Sequence, residues 1–227
     1  MYAEKLIRFL KRQVLPRRSH YWEYYGRLKF ASDQILSHHL DQYTVLNVGG
    51  ATGNNLLEKF GVKNVTTLDV KEGADIVASA AQIPVQDNSF DFVTSLDTME
   101  HVRQDLRSKV VDEMIRVSKI CVAIIAPLKS PENMWAEDLV LSYRHADFLQ
   151  EHKEQGLVDF DQIENQLNHL KSIRKISAFR KAELDNLQTW VSLMTEDFCD
   201  SSEVYAKCYE RLENRFVPRR IGLVISK

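Results

Sequence analysis

The stretch Val45-Leu-Asn-Val-Gly-Gly-Ala-Thr-Gly53 decides the fold of this chain. It completes a short β-type run over residues 43–48 and brings three glycines within five positions. A helical pattern over residues 54–60 follows. Glycines between a strand and a helix permit a tight turn and a close approach of the backbone to a ligand, and the helix N-terminus presents free N–H groups. The order of strand, glycine loop and helix therefore predicts a ligand-binding βα unit.

The rest of the chain continues this alternation. Four further β-type runs follow, at residues 65–70, 75–78, 90–96 and 120–126, and residues 103–118 have helical spacing. Strands that alternate with helices indicate βαβ units and a parallel sheet. After Pro127 the pattern predicts a largely helical insertion over residues 128–171 and a strand over residues 172–179. A helical segment over residues 182–213 and a last strand over residues 220–226 follow. We therefore predict an α/β fold with a seven-stranded, mostly parallel sheet and helices on both of its faces.

Two helical segments precede the first strand. Residues 1–15 have amphipathic helical spacing that Pro16 ends, and residues 19–39 predict a second helix. We expect residues 1–42 to form an N-terminal helical cap on a domain of residues 43–227. The cap and the 128–171 insertion are not needed for a minimal sheet, so they are the expected places for binding specificity.

The composition restricts the class of protein. The 227 residues carry a formal net charge of −2, which argues against a protein that coats nucleic acid. The first 30 residues are an exception, with eight basic and two acidic side chains. A solvated helix face would explain them, and so would contact with an anionic partner such as a membrane surface. Three cysteines without metal-ligand spacing predict a reducing cytoplasm and no zinc site. The longest apolar run, residues 120–128, is too short to span a bilayer, and the N-terminus lacks the apolar core of a secretory signal.

An acidic residue follows the glycine loop at the distance that a nucleoside site requires. Asp69 ends the second predicted strand, twenty residues after Gly49, and a carboxylate there can accept hydrogen bonds from both ribose hydroxyls. The dinucleotide fingerprint G-x-G-x-x-G is not satisfied, because its second glycine falls on Ala51 and its third on Asn54. A phosphate-binding G-x-x-x-x-G-K-[ST] is also absent. These residues favour a nucleoside ligand without phosphate.

Four ordered motifs between Tyr43 and Pro127 resemble those of one enzyme family. Residues 45–53 resemble its first motif, V-L-D-V-G-C-G-T-G, and Asp69 matches the ribose-binding acid of its second. Residues 75–93 resemble its G-D-A-x-x-L-P-F-x-D-x-S-F-D stretch, and residues 95–102 resemble its fourth-strand motif, which ends in E-H-V. The chain is thus similar to the class I S-adenosylmethionine-dependent methyltransferases.

The resemblance implies a Rossmann-like methyltransferase fold whose last strand is antiparallel. It implies S-adenosylmethionine as the cofactor and S-adenosylhomocysteine as its product, with no metal required. Three positions depart from the family pattern, since Asn47 replaces an acid, Ala51 a glycine and Ser79 a frequent Asp. They leave open a non-catalytic subunit of a larger assembly. The implied cofactor-binding residues are Asn47, Gly49, Gly50, Ala51, Gly53, Asp69, Val70, Ser79, Ala80, Ile83, Leu96 and Asp97.

Three groups of side chains are candidates for catalysis or acceptor binding. His101 follows the fourth strand and is the candidate general base, although a capping or buried structural role would also explain it. His145 and His152, with Glu151 beside them, could position an acceptor or ligate a metal from one helix face, unless they belong to a salt-bridged surface helix. The aromatic group Tyr21, Trp22 and Tyr25 could form a lid over the acceptor or pack in the core.

The predicted activity is methyl transfer to a small-molecule or glycan acceptor, with oxygen as the expected acceptor atom. The insertion supports this choice, since residues 148–157 resemble an F-L-x-E-H-x-x-x-G-L-P segment of relatives in glycan biosynthesis, with Val158 in place of the proline. Methylation of protein or RNA is an alternative, and the near-neutral charge argues against RNA. No nucleic-acid partner is expected, and weak peripheral membrane contact through residues 1–18 stays open.

Overall fold

The structure is a computed structural model that describes residues 18–50, 56–195, 201–212 and 215–227. Side chains are described from Tyr25 onward, apart from a few positions in the last two helices. The helix predicted over residues 1–15 lies outside the described residues. So do Ala51 and Gly53 of the glycine loop.

The described residues form seven helices and seven strands. The helices are α1 (Arg18–Leu36), α2 (Gln104–Val117), α3 (Pro131–Tyr143), α4 (Asp147–Gln155), α5 (Phe160–Ser172), α6 (Leu187–Thr195) and α7 (Ser201–Leu212). The strands are β1 (Val45–Val48), β2 (Val65–Asp69), β3 (Ile76–Val77), β4 (Phe90–Leu96), β5 (Ser118–Pro127), β6 (Ala178–Asn186) and β7 (Pro218–Ser226). Short 3₁₀ turns occupy Leu56–Phe60 and Met99–His101.

One sheet contains all seven strands, in the order β3-β2-β1-β4-β5-β7-β6. The pairs from β3 to β5 are parallel, and β7 pairs antiparallel with both β5 and β6. The last strand is therefore the only antiparallel strand of this sheet. The predicted fold, including the direction of its last strand, is confirmed.

The prediction of a strand over residues 172–179 is wrong. Helix α5 continues to Ser172, because Ile163, Leu167 and Leu170 keep the helical period and bury one face. The strand β6 begins only at Ala178. It is an edge strand with several exposed charged side chains, so its alternation is weak in the sequence. As a result, the next helix begins at Leu187 rather than at residue 182.

The sheet is covered on both faces because its strands alternate. Val45 of β1 faces the core beside α1, whereas its neighbour Leu46 faces the core beside α2 and α5. Helix α1 buries Leu28, Ala31 and Ile35 on the first of these faces. A third apolar cluster joins α3, α4, α6 and α7. Among the described residues, no helix combines the length and the apolar content needed to cross a bilayer.

The topology brings the candidate residues to one edge. The parallel strands β1, β2 and β4 end at Val48, Asp69 and Leu96. In an open α/β sheet, ligands bind beyond the carboxyl ends of such strands. Helix α4 approaches this edge, where it contacts the 3₁₀ turn Met99–His101.

Candidate functional site

A cleft of about 890 Å³ lies at the carboxyl edge of the sheet. Its volume is in the range of pockets that hold small organic ligands. Seven of the predicted site residues line it, namely Gly49, Asp69, Val70, Ser79, Ala80, Asp97 and His101. Helix α4 supplies Asp147, Phe148 and Glu151 to the opposite wall. The cleft therefore joins the glycine turn, the acid after β2 and the segment after β4.

The turn at Gly49 requires a glycine. Its φ is +79°, and a Cβ added there would collide with the side chain of Thr98. The Gly49 N–H donates to the carbonyl of Leu68 at 2.7 Å, and Thr98 Oγ1 donates to the carbonyl of Val48 at 3.2 Å. These contacts hold the carboxyl ends of β1, β2 and β4 close together, with the backbone exposed to the cleft.

Asn47 and Gly50 lie behind this turn rather than in the lining of the cleft. Asn47 Oδ1 accepts a hydrogen bond from Thr94 Oγ1 at 3.0 Å, which ties β1 to β4. A Cβ at Gly50 would collide with the Asn47 side-chain amide. Asn47, which replaces the acid of the family pattern, is thus packed against the loop that it precedes.

Asp69 places a carboxylate at the end of β2. Its Oδ1 accepts a hydrogen bond from the Lys71 N–H at 3.0 Å, and among the described residues its Oδ2 has no hydrogen-bond partner. Val70 beside it is 69% exposed, an unusual state for a large apolar side chain. A carboxylate next to an uncovered apolar surface suits a ribose joined to a flat base.

The loop after β3 is held by hydrogen bonds within the loop and by hydrogen bonds to side chains of α2. Ser79 Oγ accepts a hydrogen bond from the Ala81 N–H at 3.2 Å. Ile83, predicted to flank the base, is buried and does not line the cleft. Its N–H donates to Glu113 Oε2 at 2.8 Å and its carbonyl accepts from Arg116 at 2.8 Å. The hydrogen bonds from Arg116 hold the pKa of Glu113 below its usual value.

Asp97 lines the cleft, but its carboxylate is occupied by arginines. Arg220 donates to it through Nε at 2.9 Å and through Nη2 at 2.7 Å, and Arg27 of α1 forms an ion pair with it. Arg220 also donates to Asp185 Oδ2 at 2.9 Å. Sequence reasoning missed both arginines, because Arg220 is 123 residues from Asp97. Leu96, the residue before Asp97, packs in the core beside α1 and does not line the cleft.

His101 lines the cleft and is paired with a carboxylate. Its Nδ1 lies 2.8 Å from Oε2 of Glu151 on α4, and its side chain is 31% exposed. Burial and the neighbouring His152 lower the pKa of His101, although Glu151 opposes them. The imidazole is therefore neutral near pH 7, the form that can accept a proton.

His152 lies behind His101, with 5.0 Å between the ring centroids. It is 3% exposed, and its Nδ1 lies 2.9 Å from Glu137 Oε1. Glu137 also accepts from Arg219 at 2.6 Å, and the Arg219 guanidinium stacks on Trp190. This buried network attaches α4 to α3 and β7, so the wall that carries Glu151 is well supported.

Glu100 is the other buried acid of this region. It is 1% exposed, and burial raises its pKa to about 7 even though Arg220 and Arg219 oppose the shift. Its Oε1 lies 4.0 Å from Nε2 of His152. Sequence reasoning predicted no role for Glu100, which it included only as part of the E-H-V motif.

Three predicted acceptor residues, Tyr25, His145 and His152, do not line the cleft. His145 precedes α4, is exposed, and bonds to Asp147 at 2.6 Å. It therefore does not share a helix face with the buried His152, and the prediction of one common face is wrong. Tyr25 packs on Phe60 with ring centroids 5.5 Å apart. The side chains of Tyr21 and Trp22 lie outside the described part of the chain.

Comparisons with known proteins agree with this geometry. Residues 46–120 match the family model described as a methyltransferase domain, and these residues hold the glycine turn, Asp69 and His101. This part of the chain is thus similar to a methyltransferase domain. A search of curated protein sequences finds no protein that matches.

Solved structures share the fold of this chain at low sequence identity. A SAM-dependent methyltransferase from Archaeoglobus fulgidus is 15% identical, with a TM-score of 0.55 over 92% of this chain and 98% of its own. The YcgJ protein of Bacillus subtilis is 13% identical, with a TM-score of 0.53 over 88% and 98%. The plantazolicin methyltransferase BamL, in complex with a desmethyl analogue and S-adenosylhomocysteine, is 14% identical, with a TM-score of 0.57 over 99% and 90%.

The described residues of the cleft fit S-adenosylmethionine, the cofactor that the methyltransferase resemblance implies. A glycine whose Cβ space is filled by Thr98 lets the backbone border the cleft at Gly49. Among the described residues, Asp69 has a carboxylate oxygen without a partner at the place where ribose hydroxyls are bound in this fold.

Proposed function

We propose that this protein transfers a methyl group from S-adenosylmethionine to an oxygen of a small-molecule or glycan acceptor. The observation that carries the proposal is the pair of His101 and Glu151 in the cleft. A neutral imidazole beside a carboxylate is suited to remove a proton from a hydroxyl group as it reacts. An amine or a carbon acceptor would have less need of such a base.

The cofactor, when bound, supplies a methyl group that its positive sulfur already activates. The residues of this chain then have to align the acceptor, exclude water and take up a proton. We assign the proton to Nε2 of His101, because Nδ1 is directed at Glu151. Glu151 would hold the ring in this tautomer and stabilise the imidazolium that forms.

The 128–171 insertion supports acceptor binding through α4. Phe148 and Glu151 of this helix line the cleft opposite the glycine turn and Asp69. An aromatic face can cover the apolar side of a sugar or another ring. Other proteins of this fold methylate natural products, as the plantazolicin methyltransferases do by name. We therefore place the acceptor between α4 and the segment Asp97–His101.

An acceptor screen would test the proposal directly. The purified protein would be incubated with S-adenosylmethionine carrying a labelled methyl group and pools of hydroxylated metabolites, nucleotide sugars and glycans. We expect label in one pool, a mass increase of one methyl group, and the label on oxygen by NMR. In the His101→Gln variant, kcat should fall about 10²–10⁴-fold, the usual contribution of a general base.

His169→Gln is the matched control, because His169 is an exposed histidine of α5 that does not line the cleft. It should leave kcat unchanged. A methylated nitrogen or carbon in the product, or full activity of His101→Gln, would contradict the assignment of the base. Transfer only to protein or RNA would overturn the acceptor class.

A further inference from the structure

We propose that Glu100, His101 and His152 form a binding site for one divalent transition-metal ion, with zinc as the ion that these donors suit best. Each residue offers one ligand atom, and the three atoms lie within 4.8 Å of one another. Two imidazoles and one carboxylate are a common ligand set for zinc, which leaves a further position open to solvent or a substrate.

Two of the three residues are buried, and each of them has one side-chain polar atom without a hydrogen bond. Among the described residues, Glu100 Oε2 and His152 Nε2 have no hydrogen-bond partner. Glu100 is 1% exposed and His152 is 3% exposed, so bulk water has little access to form hydrogen bonds with these two atoms. Buried polar atoms in native proteins nearly always have a partner, and an exception points to a ligand or an ion. Both orphaned atoms belong to the same cluster.

The tautomer of His152 directs a lone pair at Glu100. Its Nδ1 lies 2.9 Å from the carboxylate of Glu137, so Nδ1 carries the hydrogen and Nε2 is an acceptor. Nε2 lies 4.0 Å from Glu100 Oε1, which is an acceptor when ionised. Two acceptors that face each other in the interior repel unless a cation lies between them. A metal ion satisfies both.

Both histidines also have the outer-shell partner of a metal ligand. His152 is bonded to Glu137, and His101 Nδ1 is bonded to Glu151 at 2.8 Å. Histidines that bind a metal almost always donate their other ring N–H to such a carboxylate or carbonyl group, which orients the ring. In both cases this leaves Nε2 for the metal. Arg219, one of the arginines near Glu100, is itself paired with Glu137.

A small movement of His101 would complete the geometry. Tetrahedral zinc with bonds of about 2.0–2.2 Å places its ligand atoms roughly 3.3 Å apart. The buried pair already approaches this separation, and His101 is the more exposed member with room to shift. Because His101 lines the cleft, the open coordination position would face the cleft.

The site has a consequence for the reaction that rests on the proposed function. Nε2 of His101 cannot hold a metal and accept a proton at the same time. Metal binding would therefore inhibit a reaction in which His101 is the base, and a chelator would restore it. The existence of the site does not depend on that reaction, so its test uses binding alone.

The test is metal binding by the full-length protein after removal of metals with a chelator. Equilibrium dialysis against Zn²⁺ should give a single tight equivalent. Titration with Co²⁺ should give the strong visible absorption of tetrahedrally coordinated Co²⁺. Addition of Zn²⁺ should abolish this absorption by displacing the Co²⁺. Loss of the outer-shell partner in Glu151→Gln should lower the affinity for Zn²⁺ by about 10–100-fold. Loss of a ligand in His101→Ala should lower the affinity by more than that.

His145→Ala is the control, since it removes an exposed histidine near the same helix and should bind Zn²⁺ as the wild type does. Circular dichroism would verify that each variant is folded, and Glu151→Gln provides the readout if His101→Ala is not. Less than one tight equivalent, or equal affinity in wild type, His101→Ala and Glu151→Gln, would overturn the site. In that case a proton between Glu100 and His152 would account for the unpartnered atoms.

Discussion

Gly49 shows how one residue determines the shape of the cofactor cleft. Its backbone has a positive φ, and the space where a side chain would lie is filled by Thr98. Any residue with a Cβ at this position is both strained and in collision with its neighbour. The glycine is therefore required by the turn and by the contact with β4 at the same time.

The Gly49→Ala variant should lose about 1–3 kcal/mol of folding stability, the usual cost of an unfavourable backbone conformation, with a further loss from the collision. Urea unfolding would measure the change. Thr98→Ala in the same chain should recover part of the loss, since it removes the two nearest colliding atoms, Oγ1 and Cγ2, but leaves the Thr98 Cβ and the backbone strain. Additive effects of the two substitutions would contradict the contact between these residues.

Asp69 is the residue on which cofactor affinity should depend most. Asp69→Ala removes the carboxylate proposed to accept ribose hydrogen bonds, each worth about 1.5–3 kcal/mol. Calorimetric titration with S-adenosylmethionine and S-adenosylhomocysteine should show at least about tenfold weaker binding of both. Asp41→Ala, which removes an exposed aspartate outside the cleft, should bind both as the wild type does. Equal binding by the two variants would place the nucleoside elsewhere.

At the scale of elements, helix α2 holds the loop that follows β3. Glu113 and Arg116 of this helix bond to the backbone of Ile83, and Arg116 also bonds to the carbonyl of Val85 at 2.8 Å. The loop that contains Ser79 and Ala80 is thus positioned by a helix that does not itself contain a predicted cofactor residue.

This attachment predicts a stability that depends on pH. The hydrogen bonds from Arg116 lower the pKa of Glu113 from its ordinary value of 4.5. The contribution of Glu113 is therefore complete above pH 4.5 and is lost as the pH falls through the lowered value in the folded state. Urea unfolding from about pH 6 to about pH 3 should show a smaller acid loss in Glu113→Gln than in wild type. Parallel curves for the two proteins would contradict the role of this carboxylate.

At the scale of the whole molecule, Arg220 connects elements from both ends of the chain. It bonds to Asp97 after β4 and to Asp185 in β6, while Arg27 of α1 pairs with the same Asp97. The Arg220 side chain is 3% exposed, and Asp97 is 13% exposed. This cluster holds α1, β4, β6 and β7 together at the rim of the cleft.

Arg220→Met should destabilise the protein by about 3–5 kcal/mol, because it removes a buried guanidinium that compensates two partly buried carboxylates. Chemical unfolding would measure this loss. Lys153→Met is the matched control, since Lys153 pairs with Asp138 at 2.6 Å on an exposed surface. Its cost should stay below about 1 kcal/mol. A similar cost for both would mean that burial does not set the strength of the Arg220 pairs.

The order of strand, glycine loop, helix and acid was readable from the sequence. Turn residues and alternating apolar residues act within a few positions, so residues 45–53 and Asp69 predicted the fold and much of the cofactor cleft. The edge strand β6 was misplaced for the same reason. Its exposed charged side chains carry little local pattern, and its position is set by pairing with β7.

The contacts around the cleft were decided by the tertiary structure. His101 and Glu151 are 50 residues apart in the sequence, and Asp97 and Arg220 are 123 residues apart. No local pattern reports such pairs, because they depend on how α4 and β7 pack against the end of β4. The sequence by itself determined the fold and the positions of Gly49 after β1 and Asp69 at the end of β2. The packing of distant elements decided which histidine faces the cleft, which is buried behind it, and which lies outside.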